Sequence, residues 1–593
     1  MTEWLKRTFR ILAMLPRVLF GLLTVLMLVL FVVGLLAGKP HVPEPALLVL
    51  DPEGPLVEEV NVPQPADLLL GSPGAKQTRL HDLIEALHRA KSDSRVAMVL
   101  LQLDDMGSTP IPMLEELRRA IADFRTSGKR VIAYGENYSQ AQYLLASAAD
   151  EVWLHPLGLV GVTGLAYRRQ YVKQALDNLH ADVRLFRAGK YKSFGEPFVR
   201  NDMSDAAREE SRVWLGQLWQ DYKQDIAASR KVTPQALQNL VEHPDAAVNE
   251  SGSIAAAALK AGLVDQLLDS EHARQKTAGM LGVDVNKPLP AISFREYLAA
   301  TCGDDPNGKQ NVGIIVASGP IVSGDEPPGS VGNDSMAALL AKARDDSSVK
   351  AVVLRIDSPG GSALASEDIR QSILNLKEAG KPVVVSMSGV AASGGYWIAM
   401  AADEIWAYPA TLTGSIGVFG LTGNIAGGLD KLGIHTDGVT TSPIAGQPRA
   451  DVPMPPVLAD VFQASVDDVY RRFIKVVSEG RKLPAEKVRE IAEGRVWTGT
   501  DAARLGLVDH LGGFDEAVAA AAKRAGLEPG YGRRWLHQPE GFGEVLMERL
   551  SDDESRVLGI RLPAVATLTG SLSPMLQLFA HPGVYAWTDL NVE

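Results

Sequence analysis

The feature that most constrains this chain is that it is written twice. Residues 93–104, DSRVAMVLLQLD, lie over 346–357, DSSVKAVVLRID, with six identities in twelve and no gap. Residues 143–156, YLLASAADEVWLHP, lie over 396–409, YWIAMAADEIWAYP, with eight in fourteen at the same offset of 253. Unrelated segments this long share about one identity at average composition. Further on, AGLVDQL (261–267) echoes LGLVDHL (505–511). Such self-similarity marks two homologous repeats, over 46–300 and 311–540. TCGDDPNGKQ (301–310) is the linker by its Gly, Pro and Asp content.

Within the second repeat, VGIIVA (312–317), AVVLRID (351–357) and PVVVSMS (382–388) are continuously apolar, as strands covered on both faces must be. SMAALLAKAR and SEDIRQSILNLKEAG between them have helical spacing. In the latter, Ser366 with Glu367 and Asp368 predicts the helix start and Gly380 its stop. Strands alternating with helices imply right-handed crossovers, so each repeat is expected to be an α/β domain with a largely parallel sheet.

The N-terminus adds a membrane segment. Residues 18–37, VLFGLLTVLMLVLFVVGLLA, are twenty without a charge, and a helix of that length spans about 30 Å of hydrocarbon. Lys6, Arg7, Arg10 and Arg17 precede it, whereas only Lys39 follows closely. The positive-inside bias predicts a cytoplasmic stub and anchor over 1–45, with everything beyond outside. A cleaved signal peptide has a shorter apolar core and a small-residue cleavage site, so an uncleaved anchor is the expectation. The milder LPAVATLTGSLSPMLQLFA in the tail, 541–593, reads as packed or peripheral, and the tail is otherwise uninformative. A net charge of −12 argues against nucleic acid as a partner. Cys302 is the sole cysteine, and the eleven His show no metal-ligand spacing. No cofactor or metal is expected.

The offset lets each repeat comment on the other. SGVAASGGYWIAMAADE (388–404) sets Ser393 among very small residues, where another molecule can reach its hydroxyl. A hydroxyl needs a base to become nucleophilic, and no His, Asp or Glu lies within nine residues. Ser393 falls opposite Gln140, and Ser415 in GSIG falls opposite Val162. SPGG (358–361) falls opposite DMGS (105–108). The first repeat has lost these features, yet it carries RAGKYKSFGEPF (187–198) with Lys190 and Lys192, whereas DGVTTSPIAGQP (437–448) has no lysine. The second repeat would supply a serine and the first a lysine across their seam. A lysine serves as base only when neutral, and burial in that seam would strip its charge. Ser415 would orient the amine without a counter-charge. Gly360 and Gly361 after a strand, and Gly394 beside the nucleophile, offer backbone N–H donors to an acyl oxyanion.

SPGGS, AASGGYW, LTGSIG and YKSFGEPF in this order resemble the signal peptide peptidase A (protease IV) family in its long, duplicated bacterial form. The likeness covers nearly the whole chain, with no departure at the matching positions. It implies tandem Clp-protease/crotonase-like α/β domains behind one transmembrane helix. It also implies a serine–lysine endopeptidase in the bacterial inner membrane, its catalytic domains periplasmic, digesting spent signal peptides. In that pattern Ser393 matches the nucleophile, Lys192 the base and Ser415 its positioner. Gly361 and Gly394 match the oxyanion donors, with Gly360 in the oxyanion loop. The family further implies a homotetramer.

Blander readings exist for each part. AASGG serves equally as a tight helix–sheet contact, and SPGG as a turn. Only the family motif favours Lys192 over Lys190. Two other functions fit the pattern in outline: a catalytically inactive membrane scaffold, and an acyl-CoA enzyme of the crotonase type.

Overall fold

The computed structural model describes residues 40–61, 76–301, 310–538 and 584–587. The membrane helix expected at 18–37, nearly all of the 301–310 linker and the 562–580 apolar segment lie outside these residues. No described helix is long and apolar enough to cross a membrane.

Each repeat forms its own sheet. In the first, strands run in the spatial order Gln266–Leu267, Glu151–Leu154, Arg130–Gly135, Val96–Gln102, Ala46–Leu50 and Ala291–Ser293, all parallel. In the second, Asn311–Ser318, Val349–Ser358 and Val383–Ala392 make the parallel centre, with an antiparallel edge where Leu412–Gly414 meets Val496–Thr498. The centre is buried on both faces, which is why these strands read as unbroken apolar runs. The last extends four residues past the expected end and delivers Ser393 at its tip. A 26-residue helix recurs in each repeat, Asp205–Arg230 and Pro456–Arg481.

Three findings depart from expectation or add to it. The helix expected to start at Ser366 spans Ala363–Glu378 and is capped by Ser362, whose hydroxyl accepts the N–H of Ala365. Ser366 lies within it, its hydroxyl donating to the Ser362 carbonyl at 2.8 Å. The chain passes from strand Gly360–Ser362 straight into the helix, so the cap must fall there. Second, the boundary between repeats is not a boundary between sheets. Strand Asp182–Ala188 of the first repeat pairs antiparallel with Val418–Asn424 of the second, over seven residues. Third, the tail, for which no structure was expected either way, contributes Val584–Trp587 as an antiparallel strand between Gly360–Ser362 and Val418–Asn424.

A buried ion cluster also fastens the seam. Arg355 of the second repeat reaches Glu58 at 2.7 Å and Glu116 at 2.5 Å, both of the first, and donates to Ser386 Oγ at 2.9 Å. Charges this deep persist only when paired and hydrogen-bonded.

Candidate active site

The crossing strand leads into the candidate site. Asp182–Ala188 ends at Gly189, and the turn after it drops Lys192 into the seam, where the residue is 1% exposed. Lys192 Nζ lies 2.6 Å from Ser393 Oγ, 3.1 Å from Ser415 Oγ and 3.2 Å from the Ser415 carbonyl oxygen. Ser415 Oγ itself donates to the Gly494 carbonyl at 3.3 Å. A neutral amine has two N–H groups and one lone pair. It can therefore donate to both Ser415 oxygens while accepting the Ser393 hydroxyl proton. Burial drives the Lys192 amine well below the usual lysine range, with only the charge of Glu210 pulling the other way. Lys190, two residues earlier, is exposed, and its ammonium rests 5.0 Å above the Tyr191 ring.

Ser393 is fully buried and sits at φ 56°, ψ −113° between its strand and helix Gly394–Ala399. Such a backbone is costly for a residue with a Cβ and survives only where surroundings impose it. Here Ser393 N–H is held by the Gly414 carbonyl at 2.8 Å, and Trp397 N–H binds the Ser393 carbonyl at 2.9 Å.

The glycines divide their work. The N–H of Gly360 is taken by Ser358 Oγ at 3.2 Å, so Gly360 shapes the loop and is not an open donor. Gly361 passes so close to the neighbouring strand that a Cβ there would fall 1.9 Å from the Ile321 carbonyl oxygen. The tail strand runs along this edge, with Ala586 opposite Gly361 and Tyr585 opposite Ser362. Helix Gly394–Ala399 also borders it. An extended chain is thus accommodated beside both glycines expected to face an oxyanion.

At the corresponding place in the first repeat, Gln140 Oε1 accepts the N–H groups of Thr163 and Gly164 at 3.1 and 3.0 Å. The amide fills that position with a structural contact.

Two participants escaped the sequence reading. One is the tail strand, and the other is Glu210, whose buried carboxyl acts on Lys192. Nothing in the helical pattern around Glu210 distinguishes it from neighbouring acidic residues.

A strained buried serine, a desolvated amine beside it and a glycine-built edge for an extended chain are the equipment of a serine-type peptidase. The particular family follows from comparison with known proteins. Residues 123–284 and 375–528 match peptidase family S49, and the chain belongs to that family. It is 43% identical over 460 residues to Protease 4 of Salmonella typhi, covering 76% of this chain and 73% of that protein. It is 39% identical over 447 residues to Protease 4 of Haemophilus influenzae (74% and 72%). Against Serine protease SPPA, chloroplastic, of Arabidopsis thaliana it is 32% identical over 456 residues (76% and 66%). The two matched segments fall one in each repeat, as a tandem duplication requires.

Proposed function

We propose that this peptidase cuts within extended hydrophobic peptides, spent signal peptides foremost, through a Ser393–Lys192 dyad. The observation that carries this reading is the buried Lys192 amine 2.6 Å from Ser393 Oγ, each from a different repeat. Neutral Lys192 takes the Ser393 proton as Oγ bonds to the substrate carbonyl carbon. The N–H groups of Gly361 and Gly394 hold the oxyanion. Collapse breaks the C–N bond, and Lys192 returns the proton to the leaving amine. A water then gives a proton to Lys192 as its oxygen attacks the acyl ester carbon. The C–Oγ bond breaks and Lys192 passes that proton to Ser393 Oγ, which restores both groups. Ser415 keeps the amine aimed throughout. The test is hydrolysis of a synthetic signal peptide by the full-length chain in detergent, with products mapped. Products unchanged in Ser393→Ala would sink the reading.

The site is held at a membrane in this proposal. The uncharged 18–37 segment, with four basic residues before it, anchors the chain in the bacterial inner membrane with its catalytic repeats in the periplasm.

The partner in this reading is a second copy of the chain. Helices Lys173–Asn178 and Ala426–Lys431 stand 253 residues apart, and the turns after them match bond for bond. His180 N–H binds the Asp177 carbonyl at 2.9 Å, and Gly433 N–H binds that of Asp430 at 3.0 Å. In the first repeat the next segment becomes strand Asp182–Ala188 and pairs with Val418–Asn424. In the second repeat the equivalent 435–441 is exposed and joins no sheet, and 165–171, the counterpart of 418–424, is in neither helix nor strand. Pairing 435–441 of one copy with 165–171 of the next reproduces the internal contact between chains. It sets Asp437 opposite Arg169 and covers Leu432, Ile434 and Val439, which are 76%, 54% and 102% exposed. Head-to-tail contacts close into a ring where their rotation permits, and the family resemblance implies a closed set of four copies.

A further inference from the structure

The seam holds one more group whose partners reach the candidate dyad. Glu210 lies on helix Asp205–Arg230 of the first repeat and is 5% exposed. Its Oε1 accepts the N–H of Val496, 286 residues away in the second repeat. Val496 closes a short clamp, residues 493–496. At the near end, the Glu493 carbonyl accepts the Tyr191 N–H at 2.7 Å, and Glu493 Oε2 accepts that of Lys190 at 3.0 Å. Gly494 is pressed so closely on the lysine that a Cβ there would lie 2.6 Å from Lys192 N. At the far end, the Arg495 carbonyl accepts the Ser415 N–H at 2.7 Å, and the Gly494 carbonyl accepts the Ser415 hydroxyl. One four-residue segment thus grips the backbone of Lys192 and both ends of Ser415.

We propose that Glu210 is a positioning residue for the Ser393–Lys192 pair, fastening the clamp 493–496 across the seam so that Ser415 stays on the amine and water stays off it. This inference rests on the dyad reading above. Val496 also pairs with Gly414, the residue before Ser415, so releasing its N–H loosens both strands that carry the site. The ionisable neighbours suit a carboxyl that holds without charging the amine. Burial pushes Glu210 up to about 8, with Glu196 adding to it, while the Val496 N–H, Arg495 and Lys192 pull down. Above about 8 the carboxylate charge pulls the Lys192 amine back up; below it the group is mostly the acid, whose carbonyl oxygen accepts the N–H without giving Lys192 a counter-ion.

The test is the pH dependence of kcat/KM for the full-length chain on a synthetic hydrophobic peptide, with Glu210→Gln and Glu210→Ala. An amide oxygen accepts the same N–H, so the Gln variant keeps the wild-type plateau within about twofold and its acid limb in place. The Ala variant frees the clamp and admits water, so the proton affinity of Lys192 rises. Its plateau falls about tenfold or more, as loss of a buried hydrogen bond to the site implies. Its acid limb moves to higher pH by about half a unit or more. A plateau loss with the limb unmoved would mean a merely structural role and overturn the proposal. So would an Ala variant matching wild type, or a Gln variant whose limb moves to lower pH, since the carboxylate would then act through its field. Should the Ala variant not fold, Glu210→Ser, too short to reach the Val496 N–H, takes its place, and a plateau and acid limb matching wild type would overturn the proposal. Activity retained in Lys192→Ala would sink the dyad itself, whatever Glu210 does.

Discussion

At the scale of single residues, the decisive quantity is the charge on one amine. In the proposed mechanism Lys192 is a base only without its proton, so kcat/KM is expected to rise with pH and to be lost as pH falls through the lowered lysine value. An acid limb governed by a histidine-like group near pH 6.5 would contradict this. Guanidinium does not deprotonate in this range, so Lys192→Arg should be as inactive as Lys192→Ala, each down by about 10³-fold or more in peptide hydrolysis. The same amine gives a readout without substrate. Between its lowered value and the ordinary 10.5, the unfolded chain binds the extra proton. The stability of wild type relative to Lys192→Met should therefore rise with pH across that window, as urea midpoints at neutral and alkaline pH would show. Ser393 was legible because its surroundings are small and the other repeat has lost its equivalent. Choosing Lys192 over Lys190 was not, because their difference is burial, and burial is set by a strand more than two hundred residues away. Glu210 was invisible for the same reason, since its only distinction is a partner in the other repeat.

At the scale of elements, the apolar runs that predicted Asn311–Ser318 and Val349–Ser358 were reliable because both faces of those strands are covered. Helix starts were less so. Ser366 followed by two acidic residues imitates a cap, but the preceding strand leaves the first free N–H groups three residues earlier, beside Ser362. The crossing of Asp182–Ala188 to pair with Val418–Asn424 had no local signature at all, since Val183 and Leu185 alternating with Asp182 and Arg184 suit any half-buried edge. Backbone pairing holds that crossing, while elsewhere in the seam Arg355 ties its strand to Glu58 and Glu116 of the first repeat. Arg355→Met leaves Glu58 and Glu116 buried without their cation, and the expected loss is about 3–5 kcal/mol in chemical denaturation. A loss within about 0.5 kcal/mol would show that the cluster adds nothing to the seam.

At the scale of the whole molecule, duplication explains why one chain can hold a split site. In the proposed dyad, two copies free to diverge let one specialise in the serine and oxyanion edge and the other in the lysine. The offset of 253 makes the repeats legible in the sequence itself, because identical spacing over long stretches leaves little room for chance. The same symmetry argues for assembly, and Val439→Asp with Leu432→Asp should shift the chain toward monomer in sedimentation while leaving the fold intact. An unchanged sedimentation profile would remove 435–441 from the interface. The tail strand Val584–Trp587 has a kinetic corollary of its own. Under the proposed reading peptides use the same edge beside Gly361 that this strand takes, so the tethered strand is a rival whose local concentration never dilutes and a diffusing peptide must outcompete it on every turnover. A chain lacking residues 584–593 should show a lower KM at similar kcat. In the intact chain, sparse peptides would be largely ignored, and cutting would become appreciable only where peptides crowd.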